Sequence, residues 1–222
     1  MKSFLLDIAF TNEQLKLLSA DGYKLVLAKS GADSDTPDVA WLVFQPMEEN
    51  MISWTDEYGV YASTSDLTEG ARLVQLSYVA APAAAGQTYT LQDSGALVGP
   101  ADPAVTPGSY SIVNQYHTRP YMVLGLFQGA GIGADYIAKN AISASKVLQM
   151  GTAMITAPSF AVFIWLSSTP EDNSIIGSVN SPMTKLLFDE STLEIALAYD
   201  DATGKFVPAK ATIAELVVSV GG

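Results

Sequence analysis

Cysteine is absent from the 222-residue chain, and histidine occurs once, at His117. The lack of cysteine excludes disulfide bonds, thiolate nucleophiles and cysteine-ligated zinc, and it leaves the redox compartment of the protein open. A single histidine excludes a metal site built from several imidazoles. This chain therefore cannot form metal or redox centres that depend on cysteine or on clustered histidine.

Basic residues are also scarce, since 11 lysines and arginines face 23 aspartates and glutamates. The net charge is -12 and the pI is near 4.3. Nucleic-acid binding needs a basic surface that neutralises phosphates, and this composition provides none. An anionic membrane surface is disfavoured for the same reason. We expect no nucleic-acid partner.

The sequence also predicts no targeting signal. The apolar run in the N-terminal MKSFLLDIAF is short and is interrupted by Asp7, so no signal peptide is predicted. No transmembrane helix is predicted either. The compartment stays open, with production in the cytoplasm expected and export without a leader as the alternative.

The residues that are present predict an all-β, sandwich-like protein with at most one or two short helices. Hydrophobic residues make up 49% of the chain and charged residues 15%, which is enough for a sizeable core. About a dozen short segments alternate apolar and polar residues between turn signals. The run from Thr11 to Gln14 fits a capping box and predicts a helix over about 12–20. Residues 133–150 fit either an amphipathic helix or strands, and we favour strands.

A partial internal echo suggests two related halves. The stretch Asp38–Thr64 holds an apolar strand with Trp41, a proline turn and Glu-Glu-Asn, and Phe160–Gly177 repeats this order with Trp165 and Glu-Asp-Asn. The segment 99–108 contains three prolines and separates predicted halves 1–99 and 108–222. The two tryptophans stand at offsets that differ by one residue, which turns a strand side chain to the opposite face.

No motif predicts catalysis or a bound cofactor. The glycines of Gly129–Ala134 match a dinucleotide-binding pattern but lack its downstream acid, and Asp135 would repel a phosphate. Asp33, Asp35 and Asp38 have a spacing that can hold calcium, but the glycine and the final glutamate of an EF-hand loop are absent, so we interpret this stretch as a solvated acidic loop. We therefore predict a non-enzymatic protein without cofactor or metal.

Acidic turns and the one histidine fit surface roles better than chemistry. The carboxylates of Glu48-Glu49 and of Glu171-Asp172 lie on turns, where no protected pocket would separate their pKa values for glycoside hydrolysis. His117 precedes a turn, and no nucleophile elbow is present to seat a partner serine. We interpret all of them as surface residues.

Three features are candidates for binding or assembly. Trp54, Tyr58 and Tyr61 lie on a predicted strand pair and could either stack on a sugar or pack in the core. Between Leu73 and Ala134 only three residues in 62 are charged. Because interface cores are depleted of charge, this segment fits either central strands or a subunit interface, in which Thr88 and Thr90 would share one strand face.

A long uncharged run is the remaining candidate. Val147–Pro170 has 24 residues without a charge, and it fits either two buried strands joined at Pro158 or a segment that inserts into a membrane. The sequence thus favours a homo-oligomer that acts by self-association or by binding. A membrane-active, pore-forming toxin and a carbohydrate-binding module are the open alternatives.

Overall fold

A computed structural model describes residues 2–30, 36–101, 105–158 and 160–209. These residues form one helix and seventeen strands, which confirms the all-β prediction. Outside the described residues lie Asp33 and Asp35, two of the aspartates considered for calcium, and residues 212–220, for which the sequence also predicts a strand. Within the described residues, the helix is too short to cross a membrane.

The elements follow one another along the chain in this order. They are β1 (Ser3–Ala9), α1 (Asn12–Ala20), β2 (Lys24–Lys29), β3 (Val39–Phe44), β4 (Glu49–Thr55), β5 (Gly59–Ser63), β6 (Gln75–Val79), β7 (Gln87–Leu91), β8 (Leu97–Ala101), β9 (Ser109–Asn114), β10 (Tyr121–Ile132), β11 (Asp135–Ala141), β12 (Ser145–Leu148), β13 (Thr152–Thr156), β14 (Ala161–Ser167), β15 (Thr184–Leu187), β16 (Glu194–Asp200) and β17 (Lys205–Pro208).

The helix α1 begins where the capping box predicts. The Thr11 hydroxyl accepts a hydrogen bond from the Gln14 backbone N–H, and the Gln14 side chain accepts one from the Thr11 N–H. These two bonds satisfy donors that have no partner inside the helix. The Gln14 amide also donates to the backbone oxygen of Tyr199 and to the Asp201 carboxylate, which ties the helix to the end of β16.

The strands form three sheets. The large sheet has the order β17-β16-β1-β4-β10-β5-β6, with β11 and β12 also paired to the long strand β10. The inner sheet has the order β15-β14-β2-β3. We call the third sheet, β13-β9-β7-β8, the neutral sheet, because none of the residues in its four strands is charged. The predicted strands in 133–150 are β11 and β12, where the alternative was a helix.

All three sheets contribute to one main core. Leu6 from the large sheet, Leu27 from the inner sheet and Tyr89 from the neutral sheet are fully buried in the same cluster. The inner sheet is covered on its other face too, where Val26, Phe163 and others form a second cluster. This double coverage explains why β2 and β14 are apolar almost throughout, as expected of strands buried on both faces.

Every sheet combines strands from both sides of segment 99–108. β1 pairs with β16, β14 pairs with β2, and β7 pairs with β9. The predicted halves therefore share their sheets, and the first residues of the predicted linker belong to β8. That the halves are related stays a prediction.

The two echoed tryptophan strands, β3 and β14, flank β2 on opposite sides in the inner sheet. Trp41 on β3 lies in the main core, whereas Trp165 on β14 lies in the second cluster. The side chains thus face opposite sides of the sheet. The register of β3 against β2 shifts at Trp41, so that Trp41 and the next residue, Leu42, both lie in the main core.

Candidate functional site

The three aromatic residues proposed for ligand binding lie in the core. Trp54 is 6% exposed, Tyr58 7% and Tyr61 0%. The Tyr61 hydroxyl donates to the backbone oxygen of Ser143 at 2.7 Å, which gives its buried polar end a partner. Stacking on a sugar needs an exposed ring face, and these rings offer none, so the structure favours the packing alternative.

A buried lysine lies beside two of the tryptophans, and no sequence motif pointed to it. Lys29 is 4% exposed, and its Nζ is 4.4 Å from the ring centre of Trp41 and 4.9 Å from that of Trp54. The Nζ donates to the Gln128 side-chain oxygen at 2.6 Å. Lys29 lies on the same face of β2 as the buried Leu25 and Leu27. This alternation is the sequence signal that could have indicated the burial of Lys29.

Gln128 on β10 holds this buried cluster together. Its side-chain amide donates to the backbone oxygen of Thr55, and its own backbone oxygen accepts the indole N–H of Trp41 at 3.1 Å. Burial lowers the pKa of Lys29 from 10.5 to about 7. A neutral amine is a nucleophile, but no substrate can reach one that is enclosed by the core. We therefore assign the Lys29 cluster a structural role.

The other predicted interface residues, Thr88 and Thr90, lie side by side on the outer face of the neutral sheet. Both are half-buried, whereas Tyr89 between them is fully buried in the main core. β7 is an inner strand, parallel to β9 and antiparallel to β8. Alternation along β7 thus places one face on the core and the threonine face outward, as predicted.

The strand register extends the threonine face across the whole sheet. Cross-strand neighbours form two rows, Thr152–Val113–Thr90–Val98 and Met154–Ser111–Thr88–Ala101. Both rows consist of small, β-branched or apolar residues, and neither has a charge. Met154 is 56% exposed and Val98 39%. We call these two rows the neutral face.

An apolar tip, formed by the end of β12 and the turn that leads to β13, borders the neutral face. Leu148 and Met150 at this tip are each 64% exposed. Its backbone is anchored by Asn114, whose side-chain amide donates to the carbonyl oxygens of Val147 and Leu148 at 3.0 and 3.2 Å. The tip is therefore an exposed apolar patch held in place by a buried polar side chain.

The remaining motifs occupy turns and strands. Gly129 and Gly131 lie within β10, and a side chain at Gly129 would collide with the Tyr136 hydroxyl, so this glycine leaves room for the Tyr136 side chain of β11. Glu49 belongs to β4 instead of a turn. His117 is exposed at the surface, with Nδ1 3.1 Å from the Asp93 carboxylate.

The echoed asparagines have different structural roles in the two segments. The Asn50 side chain bridges the backbone of Met47 and Ile8, whereas Asn173 adopts a positive φ of 60° and accepts the backbone N–H of Ala141 at 2.6 Å. Both therefore organise backbone rather than bind a ligand. Comparison of the chain with protein-family models, curated proteins and solved structures finds no match.

Proposed function

We propose that the protein is a self-associating subunit whose copies contact one another through the neutral face. One observation carries the proposal: the four strands of this sheet contain no charged residue in a chain of net charge -12. An exposed sheet face normally carries charge for solubility. A face without charge on an acidic protein is where two copies approach with least repulsion.

The free-energy cost of removing water also favours the neutral face as the interface. Burying a charge at an interface costs several kcal/mol unless it is paired, which is why interface cores are depleted of charge. The uncharged threonine, valine and methionine side chains of the neutral face have a much smaller free-energy cost of desolvation. The hydroxyls of Thr90 and Thr152 can still exchange hydrogen bonds across the contact.

The size of the neutral face favours a reversible complex. Four strands about 4.8 Å apart, each contributing about five residues of about 3.4 Å, cover roughly 300 Å² in plane. A stable interface buries about 800 Å² on each partner. The neutral face alone falls short, so the bordering Leu148 and Met150 must contribute, and we expect association to depend on concentration.

Sedimentation velocity over a hundred-fold range of concentration tests the proposal. The wild-type protein should shift from monomer towards dimer or larger species, more strongly at high salt because salt screens the net negative charge. Thr90→Lys with Met154→Lys places two charges on the neutral face and should abolish the shift.

Met51→Lys with Ser53→Lys is the matched control. It adds the same charge at alternate, exposed positions of β4 in the large sheet, and it should leave association intact. A wild type that stays monomeric throughout, or equal association in both double variants, would refute the proposal.

Membrane attack is the second candidate, favoured by the exposed tip at Leu148 and Met150. Against it, the uncharged run 147–170 includes β14, whose residues are buried from Ala161 to Leu166 in the middle of the inner sheet. Inserting that segment would dismantle the sheet. Leakage of dye from neutral phosphatidylcholine vesicles, lost in Leu148→Ser with Met150→Ser, would favour the toxin over assembly.

A further inference from the structure

A cleft of about 240 Å³ lies on the far side of the inner sheet from the main core. One wall is the β5–β6 connection (residues 64–74), and the other is the β14–β15 connection (residues 168–183). Backbone bonds join the walls: Gly70 N–H donates to the Ile175 oxygen at 2.9 Å, and Leu73 N–H donates to the Asn173 oxygen at 2.8 Å. The cleft is therefore preformed, which lowers the entropy cost of binding.

Trp165 lines the cleft from the inner sheet and is 2% exposed. Among the described residues, the enclosed side-chain polar atoms without a partner are the hydroxyls of Ser30 and Ser77. The indole N–H of Trp165 is not one of them, and it makes no hydrogen bond to the part of the chain described here. A ligand in the cleft that Trp165 lines could accept this hydrogen bond.

The rest of the lining is rich in hydroxyl groups. Its polar side chains are those of Ser167, Thr169, Ser174, Ser178, Asn180 and Ser181, together with one carboxylate, Glu69. The Ser178 hydroxyl donates to the Glu69 carboxylate at 3.1 Å, which orients the carboxylate at the rim. Ile175, Ile176 and Val179 add apolar surface between the polar groups.

The charge of the lining residues limits the class of ligand that the cleft can bind. An anion would meet the Glu69 carboxylate without a lysine, arginine or histidine among the lining residues. A hard metal ion needs several oxygen ligands, usually with more than one carboxylate, and the described residues hold no cluster of three acidic or histidine side chains. A purely apolar ligand would leave the indole N–H of Trp165 without an acceptor.

We propose that this cleft binds a neutral polyhydroxylated ligand, with a single sugar ring as the class that fits. Sugar hydroxyls both donate and accept, so they can pair with the serine hydroxyls, the Asn180 amide, the Trp165 N–H and the Glu69 carboxylate together. The volume is below the roughly 300–1,000 Å³ typical of pockets for drug-sized ligands, and so admits one ring or the end of a chain. None of Trp54, Tyr58 and Tyr61 lines this cleft, and the proposal is independent of assembly through the neutral face.

Saturation-transfer difference NMR tests the site with glucose, galactose, mannose, N-acetylglucosamine and sorbitol, each at 10 mM, and with inorganic phosphate as the anionic control. At least one sugar should give a saturable signal, and phosphate should give none. Glu69→Gln should weaken binding about ten-fold or more, because it removes a hydrogen bond to a charged group. Trp165→Phe removes the N–H donor but keeps an aromatic ring in the core, and it should also weaken binding.

Glu48→Gln, at an exposed glutamate outside the cleft, is the matched control and should bind the sugar like the wild type. Absence of signal from all five compounds with the wild-type protein would overturn the proposal. So would a signal that Glu69→Gln and Glu48→Gln reduce equally, since binding would then lie elsewhere. Sedimentation of the same variants separates this outcome from a failure of self-association.

Discussion

Replacement of Lys29 by methionine tests whether a buried amine shapes the stability of the core. Methionine keeps an unbranched, apolar side chain and removes the charge. The folded protein lowers the pKa of Lys29 from 10.5 to about 7 because burial disfavours the ammonium form. At about 1.4 kcal/mol for each pH unit, this difference corresponds to about 5 kcal/mol of penalty when the lysine is charged in both states.

The pH dependence has a defined sign. Between pH 7 and 10.5 the unfolded chain holds more protons on this lysine than the folded chain, so the free energy of unfolding rises with pH. We expect a gain of about 3 kcal/mol between pH 7 and pH 9.5. Above pH 10 the buried tyrosines reverse the trend, because burial raises the pKa of Tyr110 to about 12 and raises that of Tyr61 as well.

Urea unfolding followed by tryptophan fluorescence at several values of pH measures this rise. In Lys29→Met the rise should disappear, whereas Lys16→Met, at an exposed position of α1, should keep it. At pH 7 Lys29→Met should be more stable than the wild type by about 1–3 kcal/mol, because the charge penalty it removes, about 4 kcal/mol at this pH, exceeds the about 1–3 kcal/mol lost by leaving the Gln128 oxygen without its donor. An equal slope in wild type and Lys29→Met would refute the reasoning.

Two further substitutions test the packing of the sheets. Gly125→Ala should lower the free energy of unfolding by about 1–3 kcal/mol in urea titrations, because the new Cβ would lie 2.2 Å from the Ser143 backbone oxygen and 2.6 Å from the Tyr61 ring. Asn173→Ala should cost about 2 kcal/mol, since alanine fits the positive φ poorly and loses the bond to Ala141 N–H, and Asn173→Gly should recover the backbone part of that loss. Equal stability of the alanine and glycine variants at 173 would show that backbone conformation plays no part.

Local sequence patterns predicted most of the secondary structure. The capping box located α1 to the residue, because its two hydrogen bonds involve neighbours in sequence. The alternation in 87–91 also placed Thr88 and Thr90 on one outward face of β7. Patterns of this kind depend on residues two to four positions apart, so they can be recognised without knowing how the rest of the chain folds.

Long-range pairing could not be predicted in the same way. No local pattern indicates that β14 pairs with β2 or that β10 pairs with four other strands. Alternation along the chain predicts that Trp54 and Tyr58 point to one side of the sheet and Tyr61 to the other. It does not predict which side is covered by another sheet. The cleft beside Trp165 was missed because it is formed by two connections that are about a hundred residues apart in sequence.

Methionine oxidation at increasing protein concentration tests the central proposal, assembly through the neutral face, most directly. Met154 lies on that face and is 56% exposed, whereas Met51 lies on β4 of the large sheet and is 50% exposed. Brief hydroxyl-radical labelling, followed by mass spectrometry of peptides, gives the oxidation rate of each in the unmodified protein. We expect the rate at Met154 to fall as concentration rises while the rate at Met51 stays constant. Constant rates at both residues across a range in which the protein associates would contradict the assignment of the interface.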